Sequence, residues 1–120
     1  MAFRFEKLDV WGKAMEWTKD VYLATDFFPD HERFGLTSQL RRAAVSVPSN
    51  LAEGTGYSSD AAFLRFIEIA YRSLMEAVCQ IQLSENLGYL TDEKGAMLRL
   101  GAEELARMLS GLRSSRRRLK

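Results

Sequence analysis

Apolar residues recur at spacings of three and four in four separate segments of the chain, and proline or glycine residues stand between these segments. Such spacing places side chains on one face of an α-helix, whereas a half-buried strand would alternate apolar and polar residues. No segment shows that alternation. The pattern therefore predicts an all-α protein in which each helix buries one apolar face.

Capping and helix-breaking residues indicate where the helices begin and end. The helices are predicted at about 9–27, 37–53, 59–86 and 91–112. Asp9 and Thr91 are expected as N-caps, and Gly54 and Gly88 as C-terminal stops. Pro48 lies inside the second helix, but the apolar stripe stays in phase across it, so one kinked helix is predicted.

The connections between the predicted helices are short, which favours antiparallel neighbours. The chain has 120 residues, enough for one domain with a single core. The predicted architecture is therefore an antiparallel up-down four-helix bundle over residues 1–112, followed by a basic tail over residues 113–120.

The residue types exclude several kinds of chemistry. Cys79 and His31 are the only Cys and His, which excludes a disulfide framework, a four-ligand Cys/His zinc site and a di-iron bundle within one chain. Cys79 is expected as a packing residue and His31 as a loop residue. Residues 54–56 (Gly-Thr-Gly) lack the Lys-Ser/Thr of a phosphate loop and are predicted to stop the helix and turn. The sequence thus predicts no enzyme, no metal and no cofactor.

The N-terminal segment MAFRFEKLDV has no apolar run before a cleavage site, so no signal peptide is expected. No stretch of about 18 or more apolar residues is present, so no membrane-spanning helix is expected either. Hydrophobic residues make up 47% and charged residues 28%, as in globular proteins. These features predict a soluble, cytoplasmic protein.

The second predicted helix carries a polar stripe about a third of a turn from its core face. The stripe consists of Gln39, Arg42, Ser46, Asn50 and Glu53. One interpretation is a site for a ligand or partner. The other, which we favour, is a structural hydrogen-bonded network within or between bundles, with Ser73 and Glu76 of the third helix as candidate partners.

A third face of the same helix is small and largely apolar, and consists of Arg41, Val45, Pro48 and Ala52. A helix in a monomeric bundle needs only one apolar face, so this one is a candidate oligomer interface. The alternative is that these are scattered surface residues without a partner, which are common.

Positive charge is concentrated at the end of the chain, in Arg113, Arg116, Arg117, Arg118 and Lys120. Residues 1–112 contain the other 12 basic residues and all 16 acidic ones, so they carry a net charge of −4. A basic cluster attracts phosphate backbones, which makes these residues candidates for nucleic-acid binding. The alternative is a solvated terminus.

The segment Gln39–Gly54, QLRRAAVSVPSNLAEG, closely resembles the signature of a bacterial family of four-helix-bundle proteins. These proteins are often encoded in intervening sequences of large-subunit ribosomal RNA genes. Further matching positions are Phe5, Leu8, Trp11, Ala14, Phe28, Pro29, Glu32, Phe34, Gly35, Leu36, Phe63, Phe66, Ala70, Ser73, Leu74 and Glu76. The resemblance covers about residues 3–112 and leaves out the tail.

The resemblance implies a soluble bundle that assembles into a ring, a homopentamer. The family is similar to the accessory proteins of diversity-generating retroelements, which are basic pentamers that bind a reverse transcriptase and nucleic acid. The leading functional prediction is a non-enzymatic homo-oligomeric assembly or adaptor protein. The alternative is a sequence-nonspecific accessory protein for RNA or a ribonucleoprotein. It would work with a reverse-transcriptase-like partner, and Arg41 and the basic tail would contact phosphates. Neither prediction implies a small-molecule substrate.

Overall fold

The computed structural model describes residues 3–118, with side chains through residue 117. Four long helices dominate it: α1 (Asp9–Thr25), α2 (Leu36–Gly54), α3 (Asp60–Asn86) and α4 (Asp92–Arg118). Two short 3-10 helices, Arg4–Lys7 and Asp30–Glu32, precede α1 and α2. No strand occurs within these residues. The predicted all-α class and the number of helices are confirmed.

Each helix packs against the next along the chain, and α1 also packs against α4, which closes the bundle. Within the described residues, the backbones of the diagonal pairs α1/α3 and α2/α4 do not approach each other closely. The bundle measures 45 × 23 × 23 Å, so its helices lie side by side along one long axis. The pairing of α2 with α3 is the most extensive, and the candidate polar site lies along it.

The core consists of the apolar stripes that the spacing predicted. Its largest fully buried side chains are Leu40, Leu51, Ile67, Leu74, Ile81, Leu98, Leu105 and Leu109. Burying one such side chain contributes about 1.5–3 kcal/mol to the free energy of folding. The packed stripes hold the helix backbones in place, which in turn positions the grooves between the helices.

The ends of α1 differ from the prediction. Leu8 occupies the N-cap position without a side-chain bond, and Asp9 lies in the first turn, where the helix dipole favours a carboxylate. The helix ends at Thr25 rather than at residue 27. It ends early because the chain turns Phe28 into the core, where its ring lies 5.4 Å from that of Tyr89.

Pro48 lies within α2, which continues on both sides of it. A proline nitrogen carries no hydrogen, so the carbonyl of Ala44, four residues earlier, loses its usual helical donor. The hydroxyl of Thr18 on α1 lies 2.7 Å from the Ala14 carbonyl and 3.2 Å from the Ala44 carbonyl. Its single proton is therefore shared between α1 and the carbonyl that Pro48 leaves free. The kink expected at Pro48 stays a prediction.

Gly54 is the last residue of α2, as predicted, but it does not adopt a left-handed conformation there. A β-carbon at this position would lie 2.7 Å from the Phe63 ring and 2.8 Å from the β-carbon of Phe66. Its role is to let α3 approach closely. Gly88 does act as the predicted stop after α3, because its φ of +80° is a left-handed conformation that favours glycine.

The basic segment is not separated from the bundle at residue 112, because α4 continues as a helix to Arg118. The guanidinium of Arg113 lies 4.6 Å from the centre of the Tyr71 ring. Arg117 forms a 2.8 Å ion pair with Glu68. These contacts hold the last turns of α4 against α3, so the described part of the predicted tail belongs to the bundle.

No helix among residues 3–118 is both long and apolar enough to cross a bilayer. His31 lies in the short 3-10 helix between α1 and α2. Cys79 is exposed on α3, so its prediction as a packing residue was wrong.

Candidate functional site

The polar stripe of α2 faces α3 across an open groove of about 340 Å³. The groove is lined by Gln39, Arg42, Ala43, Ser46, Ser73 and Glu76. Five of these are predicted site residues, and the sixth, Ala43, also belongs to the core. The structure therefore brings three of the five stripe residues and both candidate partners on α3 to one groove.

Hydrogen bonds connect one part of this groove. The hydroxyls of Ser46 and Ser73 lie 2.8 Å apart, which joins α2 to α3. The amide of Asn50 donates to the Ser46 carbonyl at 2.8 Å and lies 2.9 Å from the Ser46 hydroxyl. Three neutral polar side chains thus satisfy one another, as a structural network requires.

Gln80 on α3 contacts two residues of the groove lining, Gln39 and Glu76, and was missed in the sequence. Its amide nitrogen donates to Glu76 at 3.2 Å and lies 3.5 Å from the side-chain oxygen of Gln39. Gln80 is only 8% exposed, and its side-chain carbonyl has no hydrogen-bond partner among the described residues. Its position could have been found by spacing, since it follows Glu76 by four residues and Ser73 by seven.

Arg42 and Glu76 give the groove a positive and a negative rim. Both are exposed, and neither forms an ion pair within the described residues. The remaining member of the predicted stripe, Glu53, is exposed and makes no side-chain hydrogen bond there. The structure thus leaves Glu53 outside the network.

A second groove, between α1 and α2, is almost entirely apolar and has a volume of about 490 Å³. It is lined by Phe5, Trp11, Met15, Thr18, Lys19, Tyr22, Val45, Pro48, Ser49 and Ala52. Val45 is 38% exposed and Ala52 is half-buried, but Pro48 is buried within the chain. The small face of α2 is therefore one wall of a groove rather than a freely exposed surface.

Arg41, placed with this face in the sequence, binds α1 instead. Its guanidinium donates to the Thr25 hydroxyl at 2.8 Å, to the Tyr22 carbonyl at 3.2 Å and to Asp26 at 2.9 Å. It also lies 4.5 Å from the centre of the Tyr22 ring. With these partners Arg41 joins α1 to α2, and its assignments to an oligomer interface and to a phosphate contact stay predictions.

The basic residues of α4 are also engaged within the chain. Arg113 stacks on Tyr71, and Arg117 pairs with Glu68. Arg116 lies 5.0 Å from the centre of the Phe63 ring and 3.7 Å from Asp60, with its Nε unpaired. Lys120 and the Arg118 side chain lie outside the described part of the chain. The positive charge at this end is thus partly neutralised by acidic residues of α3.

One end of the bundle contains a carboxylate that joins two loops. Glu32 accepts a 3.0 Å hydrogen bond from the Leu36 backbone at the start of α2 and a 2.9 Å bond from the Tyr89 hydroxyl. These two bonds stabilise the carboxylate and hold the pKa of Glu32 below its usual value of 4.5. The hydrogen bond to the Glu32 carboxylate in turn raises the pKa of Tyr89, because it stabilises the neutral phenol. A phenol held neutral in this way is poorly suited to act as a nucleophile.

Comparison with known proteins shows the family and a solved structure with the same fold. The profile of a family described as 23S rRNA-intervening sequence protein matches residues 6–111. The chain belongs to this family. The match includes the polar groove and all of the apolar groove except Phe5. It ends at residue 111, so the basic end of the chain lies outside the family pattern.

A solved structure from Bacteroides thetaiotaomicron has the same fold as this intervening-sequence protein. It is described as a protein with unknown function from the S23 ribosomal protein family. The two are 22% identical, and the match covers 87% of this chain and 97% of the other, with a TM-score of 0.79. No curated protein matches the chain significantly. Neither description assigns a biochemical activity to the family.

Proposed function

We propose that this intervening-sequence protein is a non-enzymatic homo-oligomeric assembly or adaptor protein, and that α2 provides its subunit contacts. The observation that carries the proposal is the apolar groove between α1 and α2. Met15, Tyr22 and Val45 are all partly exposed along it. Removing apolar surface from water lowers the free energy by about 25 cal/mol per Å². Covering this groove with a second molecule therefore favours association.

Copies of the same chain are the proposed occupants because both flanks of α2 are grooves. A ring of identical subunits needs two different surfaces on each copy, which meet head to tail. The apolar α1–α2 groove and the polar α2–α3 groove are two such surfaces on one helix. The family resemblance supports five copies.

The polar groove is chemically better suited to contact than to catalysis. Ser46 and Ser73 bond to each other, and the third member of their network, Asn50, is no general base. An activated hydroxyl nucleophile needs such a base within hydrogen-bond distance. This arrangement supports the non-enzymatic interpretation.

Light scattering coupled to size-exclusion chromatography tests the assembly. We expect the purified chain to have about five times the mass of a monomer, and Val45→Glu to lower that mass by placing a charge in the apolar groove. Leu100→Glu is the matched control, because Leu100 is an exposed apolar residue on α4. A monomeric native chain at tens of micromolar would contradict the proposal. Loss of assembly in the control alone would place the contact elsewhere.

A second candidate function is sequence-nonspecific binding of RNA or DNA, as an accessory to a reverse-transcriptase-like protein. The supporting observation is that Arg65 and Arg72 are exposed on α3 without an ion-pair partner among the described residues. They flank Glu68, to which Arg117 of α4 binds. The side of α3 next to the end of α4 therefore collects several guanidinium groups.

Binding measured at two salt concentrations tests this candidate. Phosphate contacts release counterions from the nucleic acid, and this release becomes less favourable as the salt concentration rises, so binding should weaken. We expect Arg65→Glu combined with Arg72→Glu to weaken binding and flatten its salt dependence. Removal of residues 113–120 should do the same if α4 contributes. Binding that is unchanged in both variants, or absent in the native chain at low salt, would exclude these residues as a phosphate site.

A further inference from the structure

We propose that the subunits meet through two different faces of the bundle, with Lys19 of one copy bound to Glu76 of the next. The face between α1 and α2 of each copy lies against the face between α2 and α3 of its neighbour. The inference rests on the proposed assembly function, and it adds the orientation of the subunits and the charged pair that sets their register.

The shape of the bundle restricts which faces can meet in a ring. Its two short dimensions are equal at 23 Å, so neighbouring faces are at about 90° to each other. Head-to-tail contact through opposite faces gives an open filament, whereas contact through neighbouring faces turns at each step and closes. In a ring of five, the two contacts of each copy are about 108° apart, which is close to the angle between neighbouring faces. The grooves on the two flanks of α2 lie on neighbouring faces, so α2 faces the ring axis.

With α2 at the axis, α1 of one copy packs against α3 of the next, and α1 brings a positive charge to this contact. Of the residues that line the apolar groove in the described part of the chain, only Lys19 is charged. Lys19 is exposed and forms no ion pair within residues 3–117. An ammonium group at the edge of an apolar contact favours a neighbour that brings a carboxylate.

The outer face of α3 carries that carboxylate. Glu76 lines the polar groove and is exposed, and its side chain accepts a hydrogen bond from the Gln80 amide but pairs with no described cation. Ile69, two turns earlier on the same face of α3, is half-buried. An acidic and an apolar side chain thus follow each other on α3 in the same direction along the bundle as Lys19 and Met15 on α1.

A closed ring also requires paired residues to lie at the same height. Copies related by rotation about an axis parallel to the helices are not shifted along that axis. The contact between α1 and α2 gives the height of Lys19. The Thr18 hydroxyl reaches the Ala44 carbonyl, and the two helices are antiparallel. Lys19 therefore lies about level with Ala43.

Glu76 lies at the same height on α3. Ser73 contacts Ser46 of α2, and α3 is also antiparallel to α2. Glu76 follows Ser73 by three residues, so it too lies about level with Ala43. The acidic member of the α2 stripe, Glu53, follows Ala43 by ten positions and is therefore about 15 Å away along the axis. Equal height selects Glu76 rather than Glu53.

Charge reversal tests the pair, because both side chains are exposed in the single chain. Lys19→Glu and Glu76→Lys should each weaken assembly at least about tenfold, since an attraction becomes a repulsion. The double variant should recover the native mass. This recovery can arise only between copies, because α1 and α3 lie diagonally across the bundle. Arg107→Glu is the control, because Arg107 is exposed on α4, which lies diagonally opposite α2 and away from the ring axis.

Cross-linking distinguishes this arrangement from a two-fold contact. Lys19→Cys and Glu76→Cys are made singly and together in a Cys79→Ser background, which removes the exposed native thiol, and are treated with a bismaleimide. A head-to-tail contact brings position 19 next to position 76 and never next to itself. The double variant should therefore form a covalent ladder of up to about five chains, and each single variant should remain unlinked.

Sedimentation velocity gives the mass of each charge variant, and circular dichroism confirms that every variant is folded. A monomeric native chain would contradict the proposed assembly itself. If the native chain assembles but the single reversals leave its mass unchanged, or the double variant does not recover, assembly stands and this pairing is wrong. Covalent dimers of either single cysteine variant would reveal a two-fold contact and overturn the head-to-tail arrangement.

Discussion

Replacing Gly54 by alanine should destabilise the bundle, although the same change usually stabilises a helix. Alanine in a helix is favoured over glycine by about 0.5–1 kcal/mol. At Gly54, however, the added β-carbon would lie 2.7 Å from the ring of Phe63 and 2.8 Å from the β-carbon of Phe66. The Phe63 ring can rotate, but the β-carbon of Phe66 is fixed to the α3 backbone, so α3 must move away.

Overpacking of a tight core costs typically about 1–3 kcal/mol, and a clash with a backbone-fixed atom belongs in the upper half of that range. Subtracting the helix preference leaves a net destabilisation of about 1–2.5 kcal/mol. For a chain of this length, 1 kcal/mol shifts the Tm by about 4 °C, so the Tm should fall by about 4–10 °C.

Thermal unfolding followed by circular dichroism measures the shift, at one protein concentration because assembly makes the Tm concentration-dependent. Gly111→Ala is the matched control, because Gly111 lies in α4 with nothing within 4 Å of the added carbon. That variant should melt about 2–4 °C higher than the native chain. If Gly54→Ala also raises the Tm, the close approach of α3 does not constrain residue 54 and the reasoning is refuted.

Two further substitutions probe single hydrogen bonds. Thr18→Val should cost about 1–2 kcal/mol because it leaves the Ala44 carbonyl without a donor. The cost should shrink in a Pro48→Ala background, where residue 48 regains an N–H, and equal costs in a urea-unfolding cycle would contradict this. Glu32→Gln should destabilise the chain at neutral pH, since the depressed pKa of Glu32 means that its carboxylate stabilises the fold above pH 4.5. This contribution disappears as the pH falls through the lowered pKa, so a difference in urea midpoint that persists in strong acid would be inconsistent with the Leu36 contact.

The fold was largely predictable because helical periodicity is local information. Leu40, Leu51 and Ile67 could be assigned to the core from spacing alone, since each helix repeats its buried face every three or four residues. Cys79 was misassigned although the same spacing was informative. It lies two positions from both Ala77 and Ile81, which are buried, and this places it on the opposite side of α3.

The details of the candidate site depend on contacts between distant segments, which spacing does not encode. Arg41 looked like part of an open face, but its partners Thr25 and Asp26 come from the end of α1. Gly54 was correctly predicted as the end of α2, but the close approach of Phe63, which requires a glycine there, was not visible in the sequence. The basic tail looked separate because Tyr71, on which Arg113 stacks, lies 42 positions earlier in the chain.

The Thr18 hydroxyl on α1 makes the residue at its position depend on the residue at position 48 of α2. Pro48 is tolerated inside α2 partly because a donor from α1 reaches the carbonyl that the proline abandons. A relative that loses the proline no longer needs a hydroxyl at the position of Thr18, whereas one that keeps it does. Across an alignment of such proteins these two positions should covary, with serine or threonine accompanying proline and alanine or valine becoming acceptable only in its absence.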